Sequence, residues 1–141
     1  GKPDPSRPEL DRIGADVLYE AGHWAEARAR YAAVFARYPS DIESLVGTGA
    51  SAAHVGDGAE AARVDDALAT WTRPYALGHT TYGRARIAAA LGDSSRTVAL
   101  LGRSFRDGYP VVSIWERHVH AERDFGGWQT YAPFRELMGL P

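Results

Sequence analysis

From residue 8 onward the apolar residues recur at helical spacing. Leu10, Ile13, Val17, Leu18 and Ala21 fall three and four apart, with Pro8 near the first helical position and Gly22 stopping the run. A second run places Trp24, Ala27, Tyr31, Val34, Phe35 and Tyr38 on one face and ends before Pro39. Ser40 with Glu43 has the spacing of a capping box, in which hydroxyl and carboxylate satisfy orphan amides at a helix start. The helix it opens carries Ile42, Leu45, Gly49, Ala52, Ala53 and Val55 up to Gly56. Asp57 with Glu60 is a similar start signal, followed by Ala61, Val64, Leu68 and Trp71 and closed by Arg73-Pro74. A third pair of helices is predicted over about residues 80–91, stopped by Gly92, and about 95–106, with Val98, Leu101 and Phe105 inward and Gly108 as the stop. No stretch shows sustained two-residue alternation, so the pattern predicts an all-α chain.

The helices come with a period. Gly22, Gly56 and Gly92 are 34 and 36 residues apart, each followed by a comparable phrase such as Gly22-His-Trp-Ala-Glu-Ala27 or Gly56-Asp-Gly-Ala-Glu-Ala61. Seven residues before each glycine stands a small residue, Ala15, Gly49 or Ala85, and five after it another, Ala27, Ala61 or Thr97. Small residues at these two points let antiparallel helices approach closely where they cross. One such pair cannot bury its own apolar stripe, so neighbours must stack, and three repeats are about the minimum for a continuous core.

On these residues the chain resembles the tetratricopeptide repeat family over about residues 8–107, with repeats at about 8–41, 42–77 and 78–107. Trp24, Tyr31 and Pro39 make the first repeat the best copy. The family's large early aromatic in the first helix is replaced by Asp11, Leu45 and Thr81, Arg84 stands for a usual leucine, and Asp65 for a usual aromatic. The resemblance implies a right-handed superhelix whose first helices line a concave surface. Mapped onto this chain, that surface receives Arg12, Asp16 and Tyr19 from the first repeat, and Val46, Ala50, Ala53 and His54 from the second. The third contributes His79, Tyr82, Arg86 and Ala89. Small central residues leave room for a bound segment, tyrosines give rigid anchors, and Arg12 and Arg86 suit carboxylate capture. The carboxylate-clamp subclass is not matched, because its asparagine slots hold Asp16, Ala50 and Arg86.

Residues 124–138, from Asp124-Phe125 through Pro133-Phe134 to Met138, resemble the closing segment of many bacterial multidomain tetratricopeptide proteins. Phe125, Trp128, Tyr131, Phe134 and Leu137 supply an apolar cap for a last helix pair that would otherwise face water. The implied organisation is a linker or boundary segment at 1–7, three repeats at 8–107 and a C-terminal capping segment at 108–141. The chain would then be the C-terminal regulatory or interaction module of a larger bacterial signalling or regulatory protein.

Composition narrows the function classes. The 141 residues carry 45% apolar and 24% charged side chains, an ordinary globular balance. There is no cysteine, which removes disulfides, zinc–thiolate sites and thiol nucleophiles. A net charge of −2 gives no electrostatic case for nucleic acid. No apolar run reaches membrane-span length and no signal-peptide pattern opens the chain, so a cytoplasmic protein without membrane partners is expected. Charge is mildly uneven, with a local −4 over residues 41–77 and +2 over 78–141, as a solvated surface would show.

Candidate chemistry is sparse. His118 and His120, near Glu116, Glu122 and Asp124, form the one cluster that invites a metal. On a helix the two imidazoles point about 200° apart, whereas on an extended segment they share a face and Asp124 becomes a third ligand. No phosphate loop, dinucleotide fingerprint or nucleophile elbow is present, and adjacent Asp65 and Asp66 diverge by about 100° on a helix. The expected function is a non-catalytic, cofactor-free scaffold for a protein or peptide, monomeric rather than oligomeric. The alternatives are a homodimerisation module or, less favoured, a metal-binding protein using His118 and His120.

Overall fold

The computed structural model describes residues 7–72, 78–109, 121–128 and 130–139. Among these, every regular element is helical: α1 (Pro8–Glu20), α2 (Trp24–Arg37), α3 (Ile42–His54), α4 (Gly58–Ala69), α5 (His79–Ala90), α6 (Ser94–Arg106), α7 (Ala121–Phe125), a 3-10 turn (Gly126–Trp128) and α8 (Ala132–Leu137). The architecture is all-α and repeat-like. The helix that Arg73-Pro74 was expected to close ends earlier, at Ala69, and Arg73-Pro74 lies outside the described residues.

α1, α3 and α5 end in one and the same turn. The amide of Gly22 donates to the Tyr19 carbonyl at 3.0 Å and that of His23 to the Leu18 carbonyl at 2.9 Å. Gly56 and Asp57 repeat this on Ala53 and Ala52, and Gly92 and Asp93 on Ala89 and Ala88. The three glycines sit at φ +80°, +84° and +77°, a left-handed conformation that costs an L side chain about 1–2 kcal/mol. In two of the turns the residue after glycine also opens the next helix. Asp57 Oδ1 accepts from the Glu60 amide and Asp93 Oδ1 from the Arg96 amide, each at 3.1 Å.

The start of α3 differs from the capping box read at Ser40 and Glu43. Its cap is Asp41, whose carboxylate accepts from both the amide and the hydroxyl of Ser44. Arg12 of α1 holds that carboxylate from the other side, at 2.8 and 2.7 Å. A contact 29 residues away along the chain selects between two locally equivalent caps.

The chain divides into two compact units, residues 1–67 and 68–141. In the first, α1 packs on α2, α2 on α3, and α1 more lightly on α3. Ala15 and Tyr19 of α1, Ala27 and Tyr31 of α2, and Leu45, Val46 and Ala50 of α3 are buried. Tyr31 lies against the backbone of α3 at Gly47, where an added Cβ would meet its ring at 2.6 Å. The second unit packs α5 on α6, with α7 against α5 and α8 against α6. Its core joins Tyr82, Ala85, Ala88, Leu100 and Leu101 to Phe125 and Phe134 of the tail, with Trp128, Tyr131 and Leu137 partly buried around it. The tail therefore covers the apolar face of the last long helices. All six small-residue slots, Ala15, Gly49, Ala85, Ala27, Ala61 and Thr97, are buried.

One sequence reading reverses. Leu10, Ile13 and Val17, read as the packing stripe of α1, are 50%, 55% and 62% exposed. The buried face is the opposite one, around Ala15 and Tyr19. The small Ala15 permits close packing there, and Tyr19 reaches aromatic partners on α2 and α3 that an aliphatic row cannot match.

Candidate functional site

In the first unit the residues read as ligand contacts are engaged with one another. The Arg12 guanidinium donates to Asp41 and lies 3.8 Å from Asp16. Burial pulls its pKa down, but the hydrogen bonds and charge of Asp41, with Glu43 and Asp16, outweigh this and raise it above the ordinary value. Asp16 in turn accepts from the Tyr31 hydroxyl at 2.6 Å. Arg12 and Asp16 thus tie α1 to α2 and α3. Arg28 of α2 plays the matching part for α4, donating to the cap carboxylate of Asp57 at 2.7 Å, again 29 residues away.

Tyr19 is fully buried, edge-on to Trp24 at 5.0 Å, Tyr31 at 6.3 Å and His54 at 5.9 Å. His54 stacks on Trp24 with ring centroids 3.8 Å apart and planes within 9°. Both rings of that pair are only partly buried, and they flank the Gly22 turn and the end of α3. Ala50 is buried in the middle of α3.

In the second unit His79, Tyr82 and Arg86 are drawn toward Tyr109 and the tail. Tyr109 stacks on Tyr82 at 4.2 Å and lies 6.0 Å from His79. Tyr82 also meets Phe125 edge-on at 5.9 Å. The Arg86 guanidinium donates to Asp124 at 2.5 Å, and both side chains are 1% exposed. Burial takes the side chains of Tyr19, Ala50, Tyr82 and Arg86 out of a ligand's reach in this structure, although the sequence placed them on a groove surface. For three of them the position has a partner inside the fold, an aromatic neighbour for the tyrosines and a carboxylate for Arg86, while Ala50 is buried in the middle of α3.

Sequence reasoning missed three partners: Trp24 as the ring stacked on His54, Tyr109 as the ring stacked on Tyr82, and Asp124 as the counter-charge of Arg86. Asp124-Phe125 was legible as the start of the closing segment, but a pairing across 38 residues has no signature in local spacing. His118 and His120 lie outside the described residues. Among the described residues no group of three or more His, Cys, Asp or Glu side chains is placed to hold a metal ion, and no helix is long and apolar enough to cross a membrane. An open cavity of about 310 Å³ is lined by Asp11, Arg30, Ala33, Val34 and Arg37. Its carboxylate is already engaged, since Asp11 accepts from the Tyr38 hydroxyl at 2.7 Å and from Arg37 at 3.4 Å.

Comparisons of the chain with protein-family models, with curated proteins and with solved structures return no match. The tetratricopeptide resemblance therefore rests on the residues quoted for it.

Proposed function

We propose that the chain is a non-catalytic module that binds a protein or peptide, built as a superhelix of three tetratricopeptide-like helix pairs. The repeated glycine turns, the buried small-residue slots and the aromatic tail support the repeat reading. The observation that carries the binding reading is where the fold leaves apolar surface. Among the described residues, the large apolar side chains that stay exposed are Leu10, Ile13 and Val17 of α1, Val55 after α3 and Leu91 after α5. All five belong to the first helix of a helix pair or to the cap that ends it, and Val55 and Leu91 immediately precede Gly56 and Gly92. An apolar side chain left exposed at the end of a helix, as Val55 is in the first unit and Leu91 in the second, suits contact with a partner segment. The partly buried Trp24–His54 stack adds a rigid aromatic contact in the first unit. The tail's likeness to closing segments of bacterial multidomain proteins supports a role as an interaction module within a larger regulatory protein.

The test is affinity capture from the source organism with the wild type and with a Val55→Glu, Leu91→Glu double variant, followed by titration of the recovered partner. Both positions are exposed, so helical content should be unchanged. The variant should bind more weakly by roughly 2 kcal/mol if either residue is a hot spot. Equal affinity of the two proteins would remove this surface from the binding function.

A further inference from the structure

The cavity between α1 and α2 in the first unit holds a cation that the fold does not use. Asp11 of α1 and Arg30, Ala33, Val34 and Arg37 of α2 line it. Arg37 lies 3.4 Å from Asp11, whose carboxylate also accepts from the Tyr38 hydroxyl. Arg30 differs: it is exposed, and among the described residues its side chain makes no hydrogen bond and no ion pair. Two guanidiniums against one carboxylate leave the cavity with one uncompensated positive charge, and it sits at Arg30.

A glycine sets the position of that guanidinium. Gly14 stands inside α1, where alanine would be the better helix former. A Cβ there would come 2.5 Å from Arg30 Nη1, and the next atoms it would meet, at 3.6 and 3.9 Å, also belong to Arg30. The space that Gly14 leaves is therefore taken by the Arg30 side chain, which lays the guanidinium against the α1 backbone. One turn further along α2, Ala33 and Val34 give the cavity an apolar wall on the same side of the helix.

We propose that this cavity takes an acidic peptide segment, with one side-chain carboxylate paired to Arg30 and an aliphatic side chain two residues away lying over Ala33 and Val34. A guanidinium fork matches a carboxylate bidentately, and a single net positive charge is balanced by a monoanion and not by a phosphate dianion. An extended chain presents the same face every two residues, about 7 Å, close to the roughly 4.5–6 Å along α2 from Arg30 to Ala33 and Val34. The cavity holds about 310 Å³ and is open, so it grips two side chains of a segment that continues past it rather than enclosing a small acid. The proposal rests on the binding function given above and names a ligand chemistry for it, on residues other than Val55 and Leu91.

The probes are the acetylated, amidated peptide Leu-Ala-Asp-Ala-Leu and its asparagine and phosphoserine counterparts, titrated into the isotope-labelled full chain and followed by NMR. The aspartate peptide should shift the Arg30 Nε–H and Val34 methyl signals saturably, with a dissociation constant of about a millimolar, as one exposed charge-assisted pair allows. The asparagine peptide should bind at least about threefold more weakly, and Arg30→Gln should abolish that difference. Gly14→Ala separates binding from stability. It should leave the urea midpoint unchanged or raised, since the side chain it displaces is exposed and flexible, yet weaken the aspartate peptide by more than about threefold. Equal binding of the aspartate and asparagine peptides, or an Arg30→Gln chain that keeps the preference, overturns the proposal. So does a phosphoserine peptide that binds more tightly than the aspartate one. Undiminished binding to Gly14→Ala overturns the seat assigned to Arg30. Shifts confined to Val55 and Leu91 overturn the cavity as the site while leaving the binding function itself standing.

Discussion

Gly47 shows how one residue decides between two opposing effects. Alanine is a better helix former than glycine by about 1 kcal/mol, so Gly47→Ala within α3 should on propensity alone stabilise the chain. The structure gives the opposite sign. The new methyl group would stand 2.6 Å from the Tyr31 ring. That ring cannot swing aside, because Tyr31 is 1% exposed and its hydroxyl is bonded to Asp16 at 2.6 Å. Overpacking of this kind costs roughly 1–3 kcal/mol, enough to cancel or exceed the helical gain. Gly47→Ala should therefore lower the urea midpoint, and combining it with Tyr31→Leu should recover part of the loss. A single variant more stable than wild type would show that Tyr31 does not hold that position. A glycine inside a helical run needs such a reason, and at Gly47 the reason is the Tyr31 ring. The residue that packs on it was not legible, because nothing local links Tyr31 to Gly47.

At the scale of elements, what could be read from the chain was what is local. Helices α1, α3 and α5 end where the stop glycines put them, because turn chemistry is decided within a few residues, whereas α4 stops at Ala69, short of the expected Arg73-Pro74. The cap of α3 was misplaced because Ser40/Glu43 and Asp41/Ser44 are both acceptable locally, and Arg12 decides between them. The exposed side of α1 was misassigned because periodicity reports that a row is apolar, not whether anything covers it. Two carboxylates at the start of α4 also carry a pH dependence. Asp57 is held below the ordinary carboxylate value of 3.8, first by the Glu60 amide and then by Arg28. Glu60 is held below 4.5, chiefly by its hydrogen bonds from Arg63. A carboxylate with a depressed folded pKa contributes stability that is complete above its unfolded value and lost as pH falls through its folded value. Both groups should thus destabilise the start of α4 in acid, below about pH 4. Hydrogen exchange or denaturation followed down to acid pH should show this loss. Asp57→Asn should flatten the acid limb, since an uncharged cap has nothing to titrate there, and an unaltered limb would exclude Asp57 from the acid response.

At the scale of the whole molecule, the chain has two cores, and the second is closed by its own tail. Phe125 and Phe134 supply the apolar part of that closure, and Arg86 with Asp124 supplies a buried charge pair joining α5 to the tail. Two charges this deep lose their hydration, so the pair adds little net stability compared with apolar residues of the same size, but removing one partner is expensive. Asp124→Asn keeps the shape and deletes the counter-charge, leaving the Arg86 guanidinium charged at 1% exposure. Such a change costs about 3–5 kcal/mol, a large share of the stability of an ordinary domain. The loss should appear first in the second unit, as faster amide exchange along α5 and α6 and as a red shift of emission from Trp128, which packs against that core. Asp124→Leu combined with Arg86→Met removes both charges and should regain most of what Asp124→Asn loses. If Asp124→Asn leaves exchange along α5 unchanged, the tail is held by its aromatic residues alone. If the double variant is no better than the single one, the guanidinium contributes packing that methionine does not replace.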